Sequence, residues 1–190
     1  VAPHVRDYMG ERGLVGTSIL WVEWEDDRPR PPEHDRDLCL STVTTHDLPT
    51  LMGYWTASDI ELRRRLALYP DDEICNRVRQ ERIHDRHALL AALAEQGIAT
   101  GPDGSADGEY AFGIADSIHV FLARTASALV VLQAEDLAGM PDPVNVPGTS
   151  DEHANWQRKM TCRIDELFDR AAVRTLLRDV HAARVGARQG

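Results

Sequence analysis

His46 and Asp47 put an imidazole and a carboxylate side by side within Thr44-Thr45-His46-Asp47-Leu48-Pro49-Thr50-Leu51-Met52-Gly53-Tyr54-Trp55. Just before them, Cys39-Leu40-Ser41-Thr42-Val43-Thr44 is apolar or hydroxylated and rich in β-branched side chains, which predicts a buried strand. Pro49 cannot donate to a sheet ladder, so pairing should stop near it. The dyad then stands at the carboxyl end of a buried strand, where α/β sheets and barrels carry their chemistry. Other carboxylates follow strand-like runs in the same way: Glu23 and Glu25, then Glu135 and Asp136. Asn145 precedes Pro147 and Gly148. Its amide can donate to and accept from a hydroxyl, or serve only to form a turn. His34-Asp35 and His84-Asp85 repeat the dyad. Three such pairs invite a second chemistry, that of a metal-dependent His-Asp phosphohydrolase with ligands drawn from helices. Against it, His46-Asp47 ends a strand.

The elements that must position these groups can be read in order. Residues 3–12 have apolar positions at three- and four-residue steps between Pro3 and Gly13, which predicts a short amphipathic helix. Residues 17–24 read as a strand covered on both faces. Residues 28–37, with three prolines and alternating charge, read as an exposed loop. Ser58-Asp59-Ile60-Glu61 offers a cap for a helix running to Leu68. Asp71 and Asp72 open a long helical stretch to about Gln96, stopped by Gly97. Its apolar phase shifts midway, so a kinked helix or two helices would fit. A polar, glycine-rich loop spans 101–108. Helix is predicted over 111–127, with Ile114, Ile118, Phe121 and Leu122 on one face. Residues 128–133 read as a third buried strand, and 139–156 as a long irregular loop of the kind that is more often functional than not. From Cys162 the chain is helical, with a break near Ala171 and Ala172.

Of the 190 residues, 27% are charged and 43% hydrophobic, enough for one sizeable core. A net charge of −10 argues against a nucleic-acid partner, which would want a basic face. Cys39, Cys75 and Cys162 are odd in number and far apart, so reduced thiols are expected rather than a disulfide framework or zinc ribbon. No apolar run approaches a membrane span and no signal peptide is visible, so the expected location is cytoplasmic, with no membrane partner. The chain opens on Val1, and its few strands suggest that it was cut from something longer.

Two separated motifs carry a family resemblance. Thr45-His46-Asp47-Leu48-Pro49-Thr50-Leu51, with Gly53-Tyr54-Trp55, is similar to the 4-α-glucanotransferases, also called amylomaltases or disproportionating enzymes. Ala134-Glu135-Asp136-Leu137, Asn145-Val146-Pro147-Gly148-Thr149 and Asn155-Trp156 follow in the same order as in that family, and Gly13-Leu14-Val15-Gly16-Thr17-Ser18-Ile19-Leu20 also fits. The resemblance implies an α/β fold: the carboxyl-terminal part of a (β/α)8 barrel, with three parallel strands. Residues 58–127 would be a helical insertion between the last two strands, and the amino-terminal part would be absent. It implies transfer of α-1,4-glucan segments between maltodextrins through a retaining covalent intermediate, with no metal or organic cofactor. Asp47 would be the transition-state stabiliser, and His46 and Asn145 would bind substrate. The family's nucleophile and acid/base carboxylates have no matching positions here and would lie upstream of Val1, so the piece alone should be inactive. Strand edges left unpaired in such a piece predict self-association. Tyr54 and Trp55 are expected to pack, whereas Trp156 would either stack on a sugar or anchor its loop. A non-catalytic binding or oligomerisation role for the helical segment remains the alternative to an enzyme.

Overall fold

The computed structural model describes residues 3–100, 110 and 112–187. Three short strands, β1 (Gly16–Ile19), β4 (Cys39–Thr42) and β5 (Leu129–Val131), form a parallel sheet in the order β1-β4-β5. Gly16 pairs with Cys39 and Ile19 with Thr42 on one side, and Leu40 with Leu129 on the other. The chain is therefore α/β, with three parallel strands and mostly helix otherwise.

The central strand matches its hydrophobic pattern: Cys39, Ser41 and Thr42 are buried, and so are Val43 and Thr44 just beyond it. The outer strands depart from expectation. β1 is shorter than residues 17–24 because the chain turns after Ile19, where Val22 and Glu23 both donate to its carbonyl. It then forms a two-stranded hairpin, β2 (Trp24–Glu25) and β3 (Arg28–Pro29). Asp26 and Asp27 turn that hairpin at φ 50° and 58°, left-handed values that a primed two-residue turn requires and Asp tolerates. The expected exposed loop over 28–37 therefore starts as a strand, and Pro29 and Pro32 are buried. β5 is not a buried strand, since Leu129 and Val131 are 53% and 40% exposed.

Helices fill the connections. α1 (Pro3–Glu11) precedes β1. α2 (Leu51–Thr56), which has no signal in the apolar period, turns the chain straight after the dyad. α3 (Ser58–Arg65) starts from Ala57, held left-handed at φ 58°, with no side-chain cap, so the Ser58 capping box does not form. α4 (Asp72–Glu95) is one continuous helix, capped as expected by Asp71, whose Oδ1 accepts from Ile74 N at 2.8 Å. The midway phase shift reflects burial of Arg82 on the inner face among apolar residues.

α5 (Phe112–Ala123) buries Ile114, Ile118, Phe121 and Leu122, as predicted. α6 (Ala134–Ala138) follows β5. α7 (Ile164–Asp169) and α8 (Ala171–Ala187) break at Arg170, and α8 lies along α5. The core gathers α2, α4, α5 and α8 on the sheet around Trp55, Leu89, Leu93, Ile114, Ile118 and Leu176. The glycine-rich stretch 101–108 lies outside the described residues. Among the described residues, no helix is long and apolar enough to cross a membrane.

Candidate active site

The sheet's carboxyl end opens where β4 stops. Beyond Thr42 the chain stays buried for two residues and then emerges. Thr44 anchors that exit: its Oγ1 donates to Pro49 O at 2.7 Å, and its carbonyl accepts from Gln133 Nε2 at 2.6 Å. Residues 45–49 are thereby pinched into a turn whose tip carries His46 and Asp47, with side chains 54% and 47% exposed. The far end is fixed too. Thr50 Oγ1 donates to Met140 O at 2.7 Å and accepts from Gly53 N at 3.0 Å, capping α2. Leu51 N donates to Asp136 Oδ1 at 2.7 Å.

Asn145 comes to this turn from the long loop. Its backbone N donates to His46 O at 3.0 Å, and its Nδ2 donates to Asp47 Oδ1 at 2.6 Å. His46 Nε2 lies 3.5 Å from the same carboxylate oxygen. All three residues singled out in the sequence thus meet at one point, although Asn145 is 98 residues from Asp47. Among the described residues, no donor occupies Asp47 Oδ2, so that oxygen is open to a hydroxyl.

The loop that brings Asn145 is held by its own polar residues. Asn155 Oδ1 accepts from Val146 N at 2.9 Å, and its Nδ2 donates to Thr149 Oγ1 at 2.8 Å. Arg158 braces it from outside through Pro143 O and Asp142. This geometry leaves Trp156 64% exposed, with its ring centroid 4.8 Å from that of His46. Its φ of 60° is one that a bulky residue rarely adopts. Of its two expected roles, anchoring the loop in the core is excluded, because the indole borders the dyad instead. Gln133, which ties Thr44 to β5's end, escaped the sequence reading. It is the polar residue that closes an apolar strand, and that position was its signal.

The remaining polar candidates have other work. Asp136 is fully buried, and burial pushes its carboxyl up to about 7 against the opposing pull of the Leu51 N–H. It supports α2 from beneath. Glu23 pairs with Arg30 at 2.7 Å and Arg36 at 3.4 Å, and Glu25 pairs with Arg30 at 2.9 Å. Tyr54 and Trp55 are packed, as expected. Asp35 accepts from Ser41 Oγ at 2.7 Å and Asp85 from Tyr54 Oη at 2.7 Å, so the carboxylates of the other two dyads are engaged by other partners. Among the described residues, no three His, Cys, Asp or Glu side chains are grouped to hold a metal, and the phosphohydrolase alternative finds no support.

A half-exposed carboxylate with one oxygen fixed and one open, beside an imidazole and an exposed indole, suits a polyhydroxylated ligand. The carboxylate accepts from hydroxyls, and the rings cover apolar faces. Comparison with known proteins points the same way. A profile described as 4-alpha-glucanotransferase matches residues 1–165. The 4-alpha-glucanotransferase of Mycobacterium tuberculosis H37Rv is 37% identical over 198 residues, covering 96% of this chain and 26% of that protein. The Haemophilus influenzae 4-alpha-glucanotransferase is 28% identical, covering 97% of this chain and 26% of its own length. Among solved structures, amylomaltase from Corynebacterium glutamicum superposes with a TM-score of 0.82 at 30% identity, over 97% of this chain and 27% of that one. The chain spans about a quarter of the length of the relatives it matches.

Proposed function

The chain belongs to the 4-α-glucanotransferase family, and from that premise we propose that it is the carboxyl-terminal part of a (β/α)8 barrel in an enzyme that moves α-1,4-glucan segments between maltodextrins. The helical insertion proposed over 58–127 is represented among the described residues by α3, α4 and α5. The consecutive parallel order β1-β4-β5 supports this, since neighbouring barrel strands have that order and carry their active site at the carboxyl end. The observation that carries the proposal is the convergence of His46, Asp47 and Asn145 at that end.

In the proposed reaction an α-1,4 bond breaks, the glucan is held as a covalent glycosyl-enzyme, and the 4-hydroxyl of another sugar displaces it with retention. Water is the competing acceptor. A retaining transfer needs a nucleophile and an acid carboxyl about 5–5.5 Å apart. Neither is assigned to a residue of this chain, so the transfer belongs to the longer protein. Asp47 accepts hydrogen bonds from two hydroxyls of one sugar, and His46 donates another. These bonds strengthen as the ring flattens and positive charge grows, so they favour the transition state over the bound substrate. Asn145 holds one carboxylate oxygen still and reaches a sugar hydroxyl itself. The enzyme's partner is a maltodextrin in the cytoplasm, and the three free cysteines are compatible with a reducing compartment.

The test is disproportionation of maltotriose. The longer enzyme should release glucose and longer maltodextrins with retained anomeric configuration by NMR, and the 190-residue chain alone should release neither. In the longer enzyme Asp47→Asn should lower kcat by ~10²–10³-fold with a modest change in KM. Turnover by the isolated chain, or an Asp47→Asn enzyme of normal kcat, contradicts the proposal. The chain alone is also proposed to self-associate through the open β1 and β5 edges and the exposed Leu14, Val15, Leu129 and Val131. Light scattering that shows a monomer at high concentration would refute that.

A further inference from the structure

Between Thr56 and Glu95 lie α3 and α4, and α4 reaches the turn over residues 45–49 through a stack of three side chains. Arg82 of α4 is 8% exposed. Its Nη1 and Nη2 donate to Asp59 Oδ1 and Oδ2 at 2.8 and 3.0 Å, and Nη1 also donates to Tyr54 O at 2.7 Å. The guanidinium carbon sits 3.6 Å from the centre of the Tyr54 ring. Trp21, just past the end of β1, stacks on that ring at 3.9 Å and 9°. Two groups this close to one ring take opposite faces, so Tyr54 is sandwiched. Its Oη donates to Asp85 Oδ2 at 2.7 Å, which fixes the ring's direction, and burial raises its pKa so that it stays a donor. From the outer side of the stack, Trp21 Nε1 donates to Pro49 O at 3.2 Å. That carbonyl also accepts from Thr44 Oγ1, and it stands two residues from Asp47.

We propose that Arg82, Tyr54 and Trp21 form a positioning column by which α4 holds the turn over residues 45–49, and with it the Asp47 carboxylate, against Asn145. The proposal rests on the assignment of Asp47 in the preceding section. The column's chemistry suits location rather than mere burial. Apolar residues could fill the same space without the desolvation cost of an Arg-Asp pair. The guanidinium fork instead fixes three acceptors and one ring face at once, which a Lys could not do. A rigid stack transmits position because its members cannot slide without breaking hydrogen bonds, whereas aliphatic contacts tolerate small shifts. None of the three residues needs to touch substrate for this role, since misplacement of a reacting group by about 1 Å is enough to cost ~10²-fold in rate.

Trp21 is the member to test, because a half-buried residue can be replaced with less risk to folding than Arg82. In the longer enzyme acting on maltotriose, Trp21→Phe keeps a stacked ring but loses the bond to Pro49, and should lower kcat by ~3–10-fold with KM within about twofold. Trp21→Leu loses both contacts and should lower kcat by roughly 10–100-fold. Combined with Asp47→Asn, Trp21→Leu should cost almost nothing further, because no carboxylate remains to be positioned. A residue needed only for stability would lower the melting temperature and leave kcat per folded molecule unchanged in every background. That result, or losses that multiply in the double variant, overturns the column. If Trp21→Leu does not fold, Trp21→Phe alone and with Asp47→Asn decides by the same criteria. If Asp47→Asn keeps normal kcat, the assignment of Asp47 has failed; if it collapses kcat while both Trp21 variants keep it, only the column has failed.

Discussion

The turn after β4 and the α5–α8 helix pair are held in opposite ways. At the turn the fixing contacts are polar and join segments far apart in sequence: Thr44 with Gln133, Leu51 with Asp136, Thr50 with Met140, Asp47 with Asn145. Between α5 and α8 the contact is apolar, built on Ile114, Ile118, Val173, Leu176 and Val180. Of the buried polar side chains on α5, His119 turns its Nδ1 to Ala115 O within its own helix, and Ser117 Oγ donates to Gly113 O in the same helix and to Ala99 O. Apolar burial scales with area and tolerates small shifts, whereas hydrogen bonds of 2.6–2.7 Å do not. The helix pair therefore supplies stability, and the turn supplies position.

The largest expected effect lies in the helix pair. Leu176 is 1% exposed, and Leu176→Ala should cost about 2–5 kcal/mol in urea unfolding while leaving kcat per folded molecule unchanged. A drop in kcat of the same proportion would erase the distinction between the two regions. Gly53→Ala falls where packing and position coincide. A Cβ there would stand 2.3 Å from Pro141 O, a backbone atom, so either α2 or the loop leading to Asn145 must move. Overpacking of this kind typically costs about 1–3 kcal/mol. Unlike the Leu176 change, it should also lower kcat, and a stability loss with normal kcat would show that the turn is not coupled to the 139–145 loop.

The smallest effect is in pH dependence, where the two regions pull in opposite directions. Burial pushes the Asp136 carboxyl up from 3.8 to about 7 in the fold. The folded state keeps a proton that the unfolded chain has lost, so this contribution is full below about 4 and disappears as pH rises through 7. His119 is pushed down from 6.5 to about 4 by burial. There the unfolded chain binds the proton first, so stability is full above 6.5 and is lost as pH falls through 4. Between pH 4 and 6.5 the two slopes offset each other. Asp136→Asn keeps an acceptor for Leu51 N and removes the charge, so stability over that window should now rise with pH, by up to about 1 kcal/mol per unit. An unchanged profile would show that Asp136 does not carry a proton in the fold.

What the sequence disclosed depended on how local the signal was. The dyad, the strand before it and Asn145 were legible because a short apolar run, a proline and a pair of separated motifs mark them. The capping of α4 by Asp71 and the buried face of α5 follow directly from local pattern. α2 was not legible, because its start is set by Asp136 and Met140, some 85–90 residues away. β5 has the composition of a buried strand, but among the described residues its sheet ends there, and composition carries no information about neighbours. The hairpin after β1 was hidden by charge: Arg30 is tied to Glu23 and Glu25, so a run that reads as solvated folds back on itself. Of the other two dyads, Asp35 and Asp85 became structural acceptors, a fate decided by where their elements pack.

If Asp47 and Asn145 act on the sugar as one unit, as proposed, a double-mutant cycle in the longer enzyme will show it. With Asp47 present, Asn145→Ala should lower kcat for maltotriose disproportionation by roughly tenfold, since a carboxylate oxygen loses its fixed partner. In the Asp47→Asn background the same change should have almost no effect. Equal loss in both backgrounds would mean that the 2.6 Å contact is incidental and that the two residues serve separate purposes.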